Sequence, residues 1–196
     1  LQGDERLIER AGGRTFRITG GGFWQVHRKA PDVLTSAVNN FIEKAGVLKL
    51  DANNLDLYGG VGLFTGTIAA KFGESLRMTT VESFKQATAD ATLNLKDLPN
   101  VKAVCEPVER FLAPHKDETG EATVVLDPPR SGAGAKVVGQ LMKLAPKHIV
   151  YVACDPVALA RDLKTLMETY DLVGIRAFDL FPHTHHVETI ASLVRK

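Results

Sequence analysis

Asn54-Leu55-Asp56-Leu57-Tyr58-Gly59-Gly60-Val61-Gly62-Leu63-Phe64 reads as a short strand, a glycine-rich turn and the start of a helix. Working outward, the same alternation recurs. Short apolar runs fall at 54–57, 77–81, 101–105, 123–126 and 148–153, and helical patterns lie between most of them, at 63–72, 84–96, 135–144 and 157–170. Strands alternating with helices predict a mostly parallel, doubly wound sheet. A further helix is predicted over 31–45, with Gly46 as its stop. The C-terminal end departs from the pattern. Two strand-like runs, 172–180 and 188–194, are joined only by a His-rich loop, which predicts an antiparallel hairpin closing the sheet. Residues 1–30 read as irregular, with a short strand near 14–19 and a turn at Gly20-Gly21-Gly22.

The 196 residues suit one domain. With 44% hydrophobic and 24% charged residues, a soluble globular class is expected and a disordered one excluded. No apolar stretch reaches the roughly 18–20 residues of a membrane span, and no signal peptide is present, so a cytoplasmic location is expected. The two cysteines, Cys105 and Cys154, are too few and too far apart for a four-cysteine metal or iron–sulfur site. Cys105 reads as buried strand filling. A net charge of +1 lacks the basic excess of a stand-alone nucleic-acid binder, so strong RNA affinity would need a further domain. The chain opens on Leu1 rather than Met, which reads as a fragment of a longer protein.

Cys154 ends the run Ile149-Val150-Tyr151-Val152-Ala153 and precedes Asp155-Pro156, an N-cap and first-turn pair. A thiol at the positive end of a helix is expected to have a lowered pKa and nucleophilic character; the rival reading is a small buried apolar residue. Glu82 ends the second strand, where a carboxylate can accept hydrogen bonds from ribose hydroxyls. Asp127-Pro128-Pro129-Arg130 ends the fourth and places a carboxylate over the same crevice. His183, His185 and His186 invite a metal reading, but no acidic or cysteine cluster completes a ligand set, and no metal is expected.

A nicotinamide-dependent oxidoreductase would show G-x-G-x-x-G. Here Gly59, Gly60, Gly62 and Gly66 put the third glycine one residue late, and D-x-Y-G-G-x-G fits the S-adenosyl-L-methionine pattern of methyltransferases better. Three segments then carry a resemblance: Asp127-Pro128-Pro129-Arg130, Ala153-Cys154-Asp155-Pro156-Val157-Ala158-Leu159-Ala160-Arg161-Asp162, and Phe181-Pro182-His183-Thr184-His185-His186-Val187-Glu188. Together they closely resemble the S-adenosylmethionine-dependent RNA uracil-C5 methyltransferases. Phe23-Trp24-Gln25-Val26-His27 is similar to that family's F-x-Q segment, and 56–64 to its D-x-[YF]-C-G-x-G-x-F turn.

The resemblance implies a class I methyltransferase fold: α/β, Rossmann-like, with a seven-stranded, mostly parallel sheet and an antiparallel C-terminal hairpin. It implies Cys154 as nucleophile on uracil C6 and Glu188 as general base. Gln25, Tyr58, Gly60, Glu82 and Asp127 become candidate contacts to S-adenosyl-L-methionine, and the partner becomes a tRNA or rRNA uridine extruded from its stack. Residues 1–30 then read as an extension, the remnant of a linker to an RNA-binding region, and 31–196 as the catalytic domain. A fragment that binds the cofactor without activity in isolation is a further reading. Two positions depart from the family pattern. Gly59 stands where it has cysteine, which matters little if the turn supplies only backbone. Asp155 stands where it has asparagine, which keeps the cap but adds a negative charge expected to raise the thiol's pKa.

Overall fold

A computed structural model describes residues 6–114, 120–184 and 186–196. In chain order the elements are β1 (Arg6–Ala11), β2 (Arg14–Thr19), α1 (Ala30–Ala45), β3 (Asn54–Leu57), α2 (Leu63–Phe72), β4 (Met78–Glu82), α3 (Lys85–Asn94), β5 (Val101–Cys105), α4 (Val108–Phe111), β6 (Thr123–Leu126), α5 (Gly134–Leu144), β7 (His148–Ala153), α6 (Pro156–Leu166), β8 (Tyr170–Phe178) and β9 (Glu188–Arg195). Seven strands form one sheet in the order β5-β4-β3-β6-β7-β9-β8. The first five pair in parallel, while β9 runs antiparallel to both β7 and β8. This is the doubly wound sheet with a closing antiparallel hairpin.

The three central strands are buried on both faces; β6 and β7 are accordingly near-continuous apolar runs, whereas β3 alternates and its buried Asn54 and Asp56 are hydrogen-bonded. Successive side chains still point to opposite sides. Val124, Leu126, Ile149 and Tyr151 pack toward α5 and α6, whereas Val125, Val150 and Val152 pack toward α1 and α2. Helix limits follow local chemistry. Pro31 lies in the first turn of α1, and Gly46, in the left-handed region at φ 63°, ends it with its N–H on the Ile42 carbonyl. Asp155 caps α6, its Oδ1 accepting the Ala158 N–H at 2.7 Å.

The N-terminal residues are more ordered than their sequence suggests. β1 and β2 make an antiparallel hairpin, with β1 absent from the sequence reading because Arg6-Leu7-Ile8-Glu9-Arg10 alternates in no useful way. Its support comes from elsewhere. Phe16 packs with Leu63, and Ile18 with Val61 and Ala87. The free edge of β2 is met by polar side chains of α3: Asn94 bonds both the N–H and carbonyl of Arg17, and Asp90 accepts the N–H and hydroxyl of Thr19 at 2.8 Å each. Arg14 donates two bonds to Asp97, at 2.7 and 2.9 Å. The hairpin therefore holds the following segment, residues 21–26, against the C-terminal ends of the strands. Cys105 also departs from expectation: it is exposed at the end of edge strand β5.

His148 opens β7 fully buried, its Nε2 2.8 Å from the Ser192 hydroxyl on β9. Burial lowers its pKa from 6.5 to about 4. The folded state favours the neutral ring, so its stabilising contribution is complete above pH 6.5 and is lost as pH falls toward 4. The full loss amounts to about 3 kcal/mol. In urea melts between pH 7 and 4, wild type should lose stability on acidification relative to His148→Gln, against the opposite contributions of Asp56 and Asp127 that both proteins share; parallel profiles for the two proteins would contradict the assignment.

Candidate active site

Where the parallel strands end, the chain opens a cleft of about 730 Å³, within the range of small-ligand sites. Gln25, Tyr58, Gly60, Glu82, Asp127, Cys154 and Glu188, all singled out in the sequence, line it together. They arrive from six different places in the fold: the segment after the hairpin, the β3–α2 turn, and the ends of β4, β6, β7 and β9. Ligands of doubly wound sheets occupy this edge.

The floor is the β3–α2 turn. Tyr58, Gly60 and Gly62 all adopt positive φ, at 61°, 54° and 87°. Gly60 has open space where a Cβ would point, and Gly62 is crowded by Leu95. Asp56 anchors the turn from below: its Oδ2 accepts the Thr65 N–H and hydroxyl at 3.1 and 2.7 Å, and burial pushes its pKa to about 6. Glu82 is fixed by two backbone donors, Phe84 N–H at 2.7 Å and Gly60 N–H at 3.2 Å. Gly59 matters more than its backbone role suggested. A Cβ there would overlap the Thr80 hydroxyl and crowd the Asp56 carboxylate, so a cysteine at this position requires Thr80 to move.

On the opposite side stand Cys154 and Glu188. β7 and β9 pair with Val152 opposite Ile190 and Ala153 opposite Thr189; continuing that register by one residue sets Cys154 opposite Glu188. Both line the cleft. Glu188 is only 4% exposed, and burial raises its pKa. Asp127 keeps some contact with the cleft, yet burial, then Glu188 and Asp56, push its carboxyl to about 8.

The thiol corrects the sequence reading. A helix N-terminus was expected to lower the Cys154 pKa, but it is raised, first by burial and then by the charges of Glu188 and Asp127, with Arg130 acting in the opposite direction. Burial, joined by the carboxylates on neighbouring strands, outweighs the helix end. Asp155, expected to add the unfavourable charge, is instead turned onto the Ala158 N–H.

The cleft also takes in residues that the sequence left unassigned. Phe84 read as the first residue of a helix; it occupies the cap position with extended backbone, so its ring stays 56% exposed and lines the cleft with Ser83. An aromatic residue between a strand and a helix carries no signal of this in a single sequence. Phe23 lines the mouth, whereas Trp24 turns inward onto Phe16, ring centroids 5.8 Å apart. Of the histidines, His186 lines the cleft, His183 is exposed, and His185 lies outside the described residues. Among the described residues no helix is long and apolar enough to cross a membrane.

Comparison with known proteins adds to this geometry. A family model described as tRNA (Uracil-5-)-methyltransferase matches residues 33–196. A Streptomyces avermitilis protein named "Uncharacterized RNA methyltransferase" is 47% identical over 195 residues, 98% of this chain and 44% of its own length. A Thermotoga maritima protein of the same name is 36% identical over 199 residues, 100% of this chain and 43% of its own length. Among solved structures, the Pyrococcus abyssi tRNA (uracil-54, C5)-methyltransferase in complex with S-adenosyl-L-homocysteine aligns with a TM-score of 0.78 at 31% identity, over 98% of this chain and 45% of that one. The chain thus spans less than half the length of these relatives. With the family match covering nearly all of the chain from α1 onward, the protein belongs to the tRNA (uracil-5-)-methyltransferase family.

Proposed function

We propose that this chain is the catalytic part of an RNA uracil-5-methyltransferase that uses S-adenosyl-L-methionine. The observation that carries the reading is that Cys154, directly after β7, and Glu188, at the start of the neighbouring β9, line one cleft whose other wall is the glycine turn and Glu82. The residues present fit the cofactor. Gly60 leaves open space for a close approach, and the Glu82 carboxylate, already held by two N–H groups, keeps acceptor capacity for a pair of ribose hydroxyls. Gln25, Tyr58 and Asp127 complete the lining. When bound, S-adenosyl-L-methionine supplies an electrophilic sulfonium methyl group.

The chemistry follows from what uracil lacks. C5 is a poor nucleophile until a group adds at C6. The Cys154 sulfur forms a bond to C6, and the C5–C6 π pair moves onto the C4 carbonyl, giving an enolate that is nucleophilic at C5. C5 would then take the methyl group, the methyl–sulfur bonding pair staying on the cofactor's sulfur as a neutral thioether. Glu188 removes the remaining C5 proton, the C5–C6 double bond re-forms, and the sulfur leaves with its bonding pair. A base reaching both groups has to leave its stack, and exposed Phe23 and Phe84 offer apolar surface at the mouth. RNA affinity is assigned largely to a region outside this chain, with residues 1–30 as the link to it and 31–196 as the catalytic domain. The choice of tRNA or rRNA would follow from that region.

The direct test incubates the intact protein with S-adenosyl-L-methionine and uridine-containing RNA, then analyses the nucleosides by mass spectrometry. Formation of 5-methyluridine is expected, together with calorimetric binding of S-adenosyl-L-methionine but not NAD. Binding of NAD alone would point to an oxidoreductase. Cofactor binding without 5-methyluridine would reduce the assignment to a binding module.

A further inference from the structure

Behind the cleft lies a buried polar cluster with no part in the chemistry above. Asp162, in α6, is 3% exposed, and a carboxylate so placed is costly unless its oxygens are satisfied. Here five donor bonds converge on it. Its Oδ2 accepts the Tyr151 hydroxyl at 2.7 Å, the Ala133 N–H at 2.9 Å and the Gly134 N–H at 3.2 Å. Its Oδ1 accepts Arg161 Nε and Nη2 at 3.1 and 3.0 Å. Arg161 Nη2 also donates to the Ser131 carbonyl at 2.7 Å, and the Tyr151 hydroxyl accepts the Ala133 N–H at 2.8 Å.

Every one of these bonds to the 131–134 segment holds the exit of Asp127-Pro128-Pro129-Arg130, which lines the cleft. The fit leaves no slack. Gly132 has φ +78°, and a Cβ on it would stand 2.7 Å from both Asp162 Oδ2 and Arg161 Nη2; its N–H closes a turn onto the Pro129 carbonyl at 2.8 Å. The helix carrying Asp162 is the one whose cap, Asp155, directly follows Cys154, and Asp162 lies two turns along it from that cap. One rigid helix thus reaches both the thiol and the Arg130 loop.

We propose that Asp162 is a positioning residue: by pinning the 131–134 turn it sets the Arg130 guanidinium in the cleft that Cys154 lines. The consequence for catalysis rests on the reading of Cys154 as nucleophile. The groups acting on this thiol are Glu188 from β9 and Asp127 and Arg130 from the end of β6 and the loop after it; Glu82 and His186 line the same cleft, and the neighbouring Asp155 is turned onto the Ala158 N–H. Arg130 is the cation whose charge acts on the thiol toward ionisation, and its place depends on the latch.

The test follows alkylation of the Cys154 peptide by iodoacetamide across pH, by mass spectrometry, in the intact protein. Asp162→Asn keeps the volume but turns an amide N–H toward one group of donors, and should move the alkylation midpoint upward. Arg130→Ala should move it equally, and the double variant no further, because both changes remove one interaction. An Asp162→Asn profile that superposes on wild type, or shifts that add in the double variant, would overturn the proposal. Should Asp162→Asn fail to fold, Arg161→Met, at a largely exposed side chain, breaks the Oδ1 arm and the Ser131 bond and carries the same expectations. A protein showing these shifts but transferring no methyl group to uridine would overturn the reaction assigned above and leave the coupling standing.

Discussion

Replacing Cys154 with alanine is expected to reduce methyl transfer by more than about 10³-fold, the scale of losing a covalent nucleophile, while S-adenosyl-L-methionine binding stays within about twofold. The asymmetry follows from placement. The thiol stands on the β7–β9 wall, whereas the Gly59–Gly62 turn and Glu82 are built from β3 and β4. Cys154 is half-buried and belongs to neither large hydrophobic cluster, so the truncation leaves the core intact. Single-turnover methylation and calorimetry on the same preparation separate the two effects. Residual activity above a tenth of wild type would show that C5 is activated by some other group.

The second large effect is expected at Glu188. Glu188→Gln keeps the shape of a buried side chain but removes the base, so overall turnover should fall by about 10²–10⁴-fold. The block comes after sulfur addition and methylation. The C5-methylated adduct should therefore accumulate as a protein–RNA band of retarded mobility on a denaturing gel. In the wild type, burial raises the Glu188 pKa, so the acid limb of the rate profile should lie above the ordinary carboxylate range; the variant should lack it. Stability has the opposite sign. A raised folded-state pKa means stability is lost as pH rises through that value, so Glu188→Gln should melt higher than wild type at neutral pH. A variant that turns over normally, or traps no adduct, would remove Glu188 from the role of base.

How much of this was legible beforehand depended on where each element's support comes from. β3, β5, β6 and β7 match the apolar runs residue for residue, and α2 matches its helical pattern, because their burial is written in their own side chains. β1 was missed because its support is borrowed: Asn94, Asp90 and Asp97, some 70 to 85 residues on, hold the hairpin to which it belongs. The candidate site divides in the same way. Its lining residues could be named, since turn chemistry and strand ends mark them. The ionisation of Cys154 could not, because the helix cap is local in sequence whereas Glu188 and Asp127 reach the thiol only through β9 and β6. Gly59 belongs with the second group, since its partner Thr80 sits on the neighbouring strand.

Because Cys154 directly follows β7 and Glu188 opens its antiparallel neighbour β9, the ladder between those strands works as a ruler between sulfur and carboxylate. Lengthening the connection between β8 and β9 leaves that gauge untouched, since the added chain bulges outside the ladder. Deleting one residue inside β9 turns Glu188 to the far side of the sheet. Insertions in that connection that spare Phe181 and His186, which line the cleft, should therefore keep the spacing, whereas slippage of the strand destroys it.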